Sequence, residues 1–158
     1  MRRSKLDKID RRILRDLQAD GRMTNVELAQ RAGISAPPCL RRVRTLEEAG
    51  LIRGYHADIN AEALGFSITV YALVGLESQA EPELKAFERL VGSWPEVREA
   101  HQLSGDIDFL LKVVAADWST YQRFLESKLT PAPNVKEVRS RLLNHTAKFE
   151  PGVPIDAD

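Results

Sequence analysis

The chain has 158 residues, 43% of them hydrophobic and 29% charged, with 23 Lys/Arg against 23 Asp/Glu and one cysteine, Cys39. That length allows one large domain or two small ones. The lone cysteine excludes an intrachain disulfide, in keeping with a reducing cytoplasm. Zero net charge argues against a nucleic-acid binder, yet the halves differ: residues 1–60 hold 13 Lys/Arg against 8 Asp/Glu and residues 61–158 hold 10 against 15, a split of +5 and −5.

The N-terminus, MRRSKLDKID, is cationic but lacks the apolar core of a signal peptide. No stretch approaches the ~20 apolar residues of a membrane span, so the expectation is a soluble protein. Leu6, Ile9, Ile13, Leu14 and Leu17 keep helical spacing from about Asp7 to Asp20, and Gly21 stops that helix. Thr24 and Glu27 have the capping-box spacing for a second, two-turn helix carrying Val26, Leu28, Ala29 and Ala32 inward. Gly33 marks a sharp turn, and Ser35 with Pro37 and Pro38 opens a third helix. There Leu40, Val43 and Leu46 are expected to face inward, with Cys39 as a small core residue and Arg41, Arg42 and Arg44 on the remaining surface. Two short helices about a glycine turn, the second of them cationic, form the helix-turn-helix pattern, whose second helix enters a DNA major groove.

After Gly50, the run LIRGYHADI alternates around Gly54 and reads as a wing hairpin, with Arg53 and His56 as phosphate contacts. The polar turn from Asn60 to Gly65 is the expected boundary. Beyond it come a strand over 66–76, a helix over 81–94, strands over 97–103 and 107–114 about Ser104-Gly105-Asp106, a helix opened by Asp117, and a closing strand over 135–143. The order β-α-β-β-α-β predicts a ferredoxin-like α/β sandwich, so the whole chain is α+β. Both sheet faces are largely apolar, so a second subunit is the natural cover for the face without helices. The tail through Pro154 reads as a loose end or a dimer arm. The domains are thus 1–60, 61–150 and a tail, 151–158.

For an enzyme the inventory is thin. His56, His101 and His145 lie in separate elements without an HxxxH or Cys pair, and no phosphate-cradling glycine pattern occurs, so neither metal nor cofactor is expected. Asp106 and Asp108 form an acidic pair beside a glycine turn.

The segments LDxIDRxIL, LQxDGR, NVELAxRxGxS, PxCLxRVRxLExxGxIxGY and, from Ser104 to Val113, SGDxDxLLKV closely resemble the Lrp/AsnC family of bacterial and archaeal feast/famine transcriptional regulators. The resemblance covers about residues 5 to 150. Ala61 stands where the family usually has proline. The resemblance implies a cytoplasmic homodimer, often assembled further, that binds double-stranded DNA through a winged helix-turn-helix and an amino-acid effector through a ligand-binding, RAM-type domain. The DNA-binding set is Asn25, Ser35, Ala36, Pro37, Pro38, Arg41, Arg42, Arg44 and Arg53. By position in the family motif, the effector set is Gln102, Ser104, Gly105, Asp106, Asp108, Trp118 and Leu142, at a subunit interface, with the loop carrying Asp108 approaching Trp118 and Leu142. An α-ammonium suits a carboxylate such as Asp108, and an α-carboxylate suits backbone N–H groups around Gly105. Trp118 replaces a smaller side chain of several relatives. Two alternatives stand beside this reading. One is an architectural DNA-binding protein that senses no ligand; the other is a tetrapyrrole decarboxylase of the same two-domain fold.

Overall fold

The computed structural model describes residues 6–156; the cationic MRRSK stretch and the last two residues of the tail lie outside them. Two compact units form. One joins the residues up to Asp58 with those from Lys148 onward, and the other is Ile59–Ala147.

In the first unit, helix α1 (Lys8–Ala19) starts on a reciprocal cap: Asp10 N donates to Asp7 Oδ1 at 2.8 Å, and Asp7 N donates to Asp10 Oδ2 at 3.2 Å. Helix α2 (Asn25–Ala32) repeats the device with Thr24 and Glu27, and ends at Gly33, whose φ of 71° is readily accessible to a residue without a Cβ. Helix α3 (Ala36–Glu48) carries prolines in its first turn, where their missing N–H groups would have no partner anyway. Ile13, Leu28, Ala29, Ala32, Cys39 and Leu46 form the buried core of this unit.

Two expected core positions point outward. Leu40 is 40% exposed and Val26 57%. At about 100° per residue, Leu40 and Leu46 lie roughly 120° apart around the helix, whereas Cys39 and Leu46 lie only about 20° apart. A repeat of three drifts off the face that Cys39, Val43 and Leu46 share. The expected wing hairpin is also absent. Residues 53–60 contain no strand, and no backbone N–H of 53–59 finds a partner among the described residues. Gly54 does not take the positive φ that tight two-residue hairpins require. The segment is held instead through Tyr55, whose hydroxyl donates to Glu47 Oε1 at 2.9 Å, and whose ring lies 3.3 Å from where a Cβ on Gly21 would stand.

The C-terminal tail is not loose. Gln18 Nε2 donates to the Val153 carbonyl at 2.8 Å, and Val153 N donates back to Gln18 Oε1 at 3.0 Å, so the tail belongs to the first unit.

The second unit is an antiparallel sheet in the order β2-β3-β1-β4, formed by β1 (Ile68–Leu76), β2 (Val97–Gln102), β3 (Phe109–Ala115) and β4 (Val135–Leu142). Helices α4 (Glu81–Gly92) and α5 (Trp118–Phe124), the latter extended by a π-type turn over Leu125–Leu129, cover one face. Strand alternation sends Val70, Ala72, Val74, Phe109, Leu111 and Val113 into that layer against Phe87, Val91, Tyr121 and Phe124. The opposite face carries Tyr71, Leu73, Leu110 and Val114, each half-buried. This is the expected α+β, ferredoxin-like order.

Candidate DNA interface and effector residues

Arg41 and Arg44 are exposed on α3 and have no ion-pair partner among the described residues. Arg42 is engaged. Its Nη1 donates to Asp7 Oδ2 and Asp10 Oδ1, both at 2.7 Å, so one guanidinium fastens α3 to the cap of α1. These bonds, to Asp10 first and then Asp7, raise the pKa of Arg42; the backbone N–H of Asp10 and then Arg42 lower that of Asp7. Asn25 Nδ2 donates to the Ala36 carbonyl at 2.9 Å, tying the start of α2 to the start of α3, while its buried Oδ1 has no partner among the described residues. Ser35 precedes α3, but its side chain makes no capping bond. Pro37 is exposed, and Ala36 and Pro38 are half-buried beside it. Cys39 is fully buried and its thiol pKa is raised by that burial, the setting of an inert core thiol.

Arg53 and His56 line a cleft of about 670 Å³ together with Leu14, Leu17 and Tyr55. Burial and the carboxylate of Glu47 push the Tyr55 hydroxyl up to about 12, so it stays a donor at neutral pH. Sequence reading missed Tyr55 and Gln18. Each acts on a distant segment through one side chain, and neither belongs to a periodic pattern.

The effector set falls into two groups within one chain. Gln102, Ser104, Gly105, Asp106 and Asp108 sit where β2 turns into β3, and that loop closes through Leu103 N donating to the Asp108 carbonyl at 2.8 Å. Gly105 has φ 137°. Trp118 and Leu142 sit at the other end of the sheet: Phe109 pairs with Val74, but Leu142 pairs with Val70, and Trp118 follows Ala115 at the far end of β3. At ~3.4 Å per residue, Leu142 is roughly 14 Å and Trp118 roughly 20 Å along the strands from the loop. The expected approach of the loop to Trp118 and Leu142 therefore does not occur within one chain, because β3 separates them by its whole length.

The carboxylate of Asp108 is partly committed. Its Oδ2 accepts from Leu76 N at 2.6 Å and from Gln79 Nε2 at 3.4 Å, pinning the end of β1 beside the register shift at Gly75 and Leu76. Its Oδ1 accepts no hydrogen bond among the described residues, so it remains open to a further donor. Trp118 is 46% exposed and tilts against Tyr121 at 5.3 Å between ring centroids; Leu142 is 47% exposed. Asp117 caps α5 by accepting from Thr120 N at 2.7 Å.

A helix-turn-helix with exposed arginines on its second helix and a glycine-acidic loop on a ferredoxin-like sheet coincide with two family models. Residues 6–53 match the winged helix-turn-helix DNA-binding model, and residues 69–153 match the Lrp/AsnC ligand binding domain. The chain belongs to the Lrp/AsnC family. It is 56% identical over 140 residues to the leucine-responsive regulatory protein of Rhizobium meliloti, covering 89% of this chain and 90% of that one. Against the leucine-responsive regulatory protein of Escherichia coli K12 it is 41% identical over 143 residues, covering 90% and 87%. A transcriptional regulator of Neisseria meningitidis, solved as a complex with L-Met, superposes with a TM-score of 0.91 at 33% identity over 96% of this chain and 98% of that one. An AsnC family regulator from Agrobacterium tumefaciens superposes at 0.87, also at 33% identity, over 94% and 97%. This Lrp/AsnC chain is accordingly a DNA-binding transcriptional regulator. Among the described residues no helix is long and apolar enough to cross a membrane.

Proposed function

We propose that this Lrp/AsnC regulator acts in the cytoplasm, without catalysis, by coupling occupancy of an amino-acid site between subunits to DNA binding. The carrying observation is the division of the effector residues between the two ends of the sheet, roughly 14–20 Å apart. A second copy of the chain is able to supply the missing half, and the uncovered face bearing Tyr71, Leu73, Leu110 and Val114 gives that copy an apolar surface. The Neisseria relative solved with L-Met supports an amino acid as the ligand class. In the site, Asp108 Oδ1 accepts from the α-ammonium, backbone N–H groups of Ser104-Gly105-Asp106 receive the α-carboxylate, Gln102 adds a polar contact, and Trp118 with Leu142 of the second copy encloses the side chain.

On the DNA side, Arg41 and Arg44 carry the base-edge and phosphate contacts, with Ser35, Ala36, Pro37 and Arg53 close to the backbone. Arg42, Asn25 and Pro38 shape the reading helix. The test is calorimetry of the full chain against the twenty common amino acids, beside DNA-binding curves with and without each. Saturable binding of at least one amino acid that also shifts DNA affinity is expected. DNA binding with no amino acid bound would favour an architectural role.

A further inference from the structure

We propose that the groove between α1 and the segment after α3 is a docking site for the protein's own C-terminal segment, Pro151–Ile155, which ties the end of the ligand-binding domain back to the DNA-binding unit. Three observations carry this. The Gln18 amide pairs reciprocally with one backbone residue, Val153, as a neighbouring strand would, at 2.8 and 3.0 Å. Gly152 stands beside that pair at φ 95°, and a Cβ there would lie 2.1 Å from Gln18 Oε1 and 2.3 Å from its Cδ, so any side chain would displace the amide that holds the tail. The groove walls are Leu14, Leu17, Ile52 and Tyr55, and Ile155 is half-buried there.

The segment is suited to docking. Pro151 and Pro154 fix φ at two of five positions, which reduces the entropy lost when it lies down as an extended chain. The topology gives the contact a consequence. The chain leaves the first unit after Asp58 and re-enters it at Lys148, six residues beyond Leu142 at the end of β4. The second unit, Ile59–Ala147, is therefore inserted between two parts of the first. On the effector reading above, Leu142 at the site and Val153 on α1 lie on one short stretch of chain.

Amide hydrogen exchange on the full chain, without DNA or amino acid, tests the docking separately from the effector reading. In the wild type the Val153 amide exchanges at least about tenfold more slowly than in a free peptide. Gln18→Ala, which keeps α1 helical, and Gly152→Ala each return it to the free-peptide rate, with protection of β1 and β3 unchanged. Free-peptide exchange at Val153 in the wild type, or equal protection in both variants, overturns the proposal. A co-refolded mixture of the Gln18→Ala chain with a chain ending at Glu150 separates the source of the tail. A protected Val153 in that mixture means that the groove takes a second copy's tail, which overturns docking within the chain. An unprotected one supports it.

Discussion

Arg42 Nη1 lies 2.7 Å from Asp10 Oδ1, so α3, the second helix of the helix-turn-helix, is fastened to the N-terminal cap of α1 by one of its own arginines. Three arginines in four positions therefore stand in two settings, Arg42 paired and Arg41 and Arg44 exposed. Arg42→Ala is expected to destabilise the DNA-binding unit by roughly 1 kcal/mol, lowering its Tm by about 4–8 °C, and to leave the salt slope of DNA binding unchanged. Arg41→Ala and Arg44→Ala should leave Tm within about 2 °C and reduce the salt slope by about one unit for each phosphate the arginine neutralises. Thermal unfolding beside binding isotherms at several salt concentrations checks both. A lowered salt slope in Arg42→Ala would assign that arginine to the DNA.

The rotation of α3 makes a second comparison. Leu46 is 4% exposed and Leu40 40% exposed, so Leu46→Ala should cost about 2–4 kcal/mol and Leu40→Ala less than about 1 kcal/mol. Denaturant unfolding of the two variants measures the difference. Equal losses would restore Leu40 to the core.

The pH dependence follows from two carboxylates. Asp117 is held at about 2, first by the backbone N–H of Thr120 and then by the Ser119 hydroxyl, and Asp7 is held below its usual value, first by Asp10 N–H and then by Arg42. Both folded values lie below the unfolded ones. Their contributions are complete above the ordinary carboxylate range and are lost as the pH falls through the lowered values. For Asp117 that window runs from about 4 down to about 2. Carboxyl carbon shifts followed by NMR should show the low midpoint, and Asp117→Asn should retain the cap while removing its pH dependence. A midpoint near 3.8 would contradict the cap's geometry.

The uncovered sheet face supplies a prediction about assembly. Leu73 pairs with Leu110 on one side and Arg139 on the other. If a second copy covers that face, Leu73→Asp puts a charged carboxylate in place of an apolar contact and should weaken dimerisation by at least about 100-fold. Sedimentation velocity at micromolar concentration reads the change. An unaltered dimer would place the interface elsewhere.

Much of the fold is legible in the sequence because local chemistry agrees with the pattern. Thr24 with Glu27, Gly33, and the apolar, β-branched run of β1 each specify their element within a few residues. What escapes reading depends on distant or angular relations. Leu40 is misplaced because a repeat of three resembles the helical period over two turns but drifts from it. The hairpin read after Gly50 does not form because residues 53–59 acquire no pairing partner among the described residues, and alternation alone cannot supply one. The docked tail rests on the Gln18–Val153 pair, 135 positions apart in sequence, which no local pattern announces. The effector set is legible as chemistry, a carboxylate beside a glycine turn. Its division across the sheet is not, because motif positions carry no distance until β3 is placed between them.

Subunit complementation tests the central account most directly. Asp108→Asn and Trp118→Ala chains should each bind little of the amino acid that the wild type binds. Co-refolded in equal amounts, they should recover about a quarter of the wild-type sites, because half of randomly formed dimers are mixed and each mixed dimer holds one intact site of two. No recovery in the mixture, with both variants folded and dimeric, would contradict a site built from the loop of one chain and the Trp118 end of another.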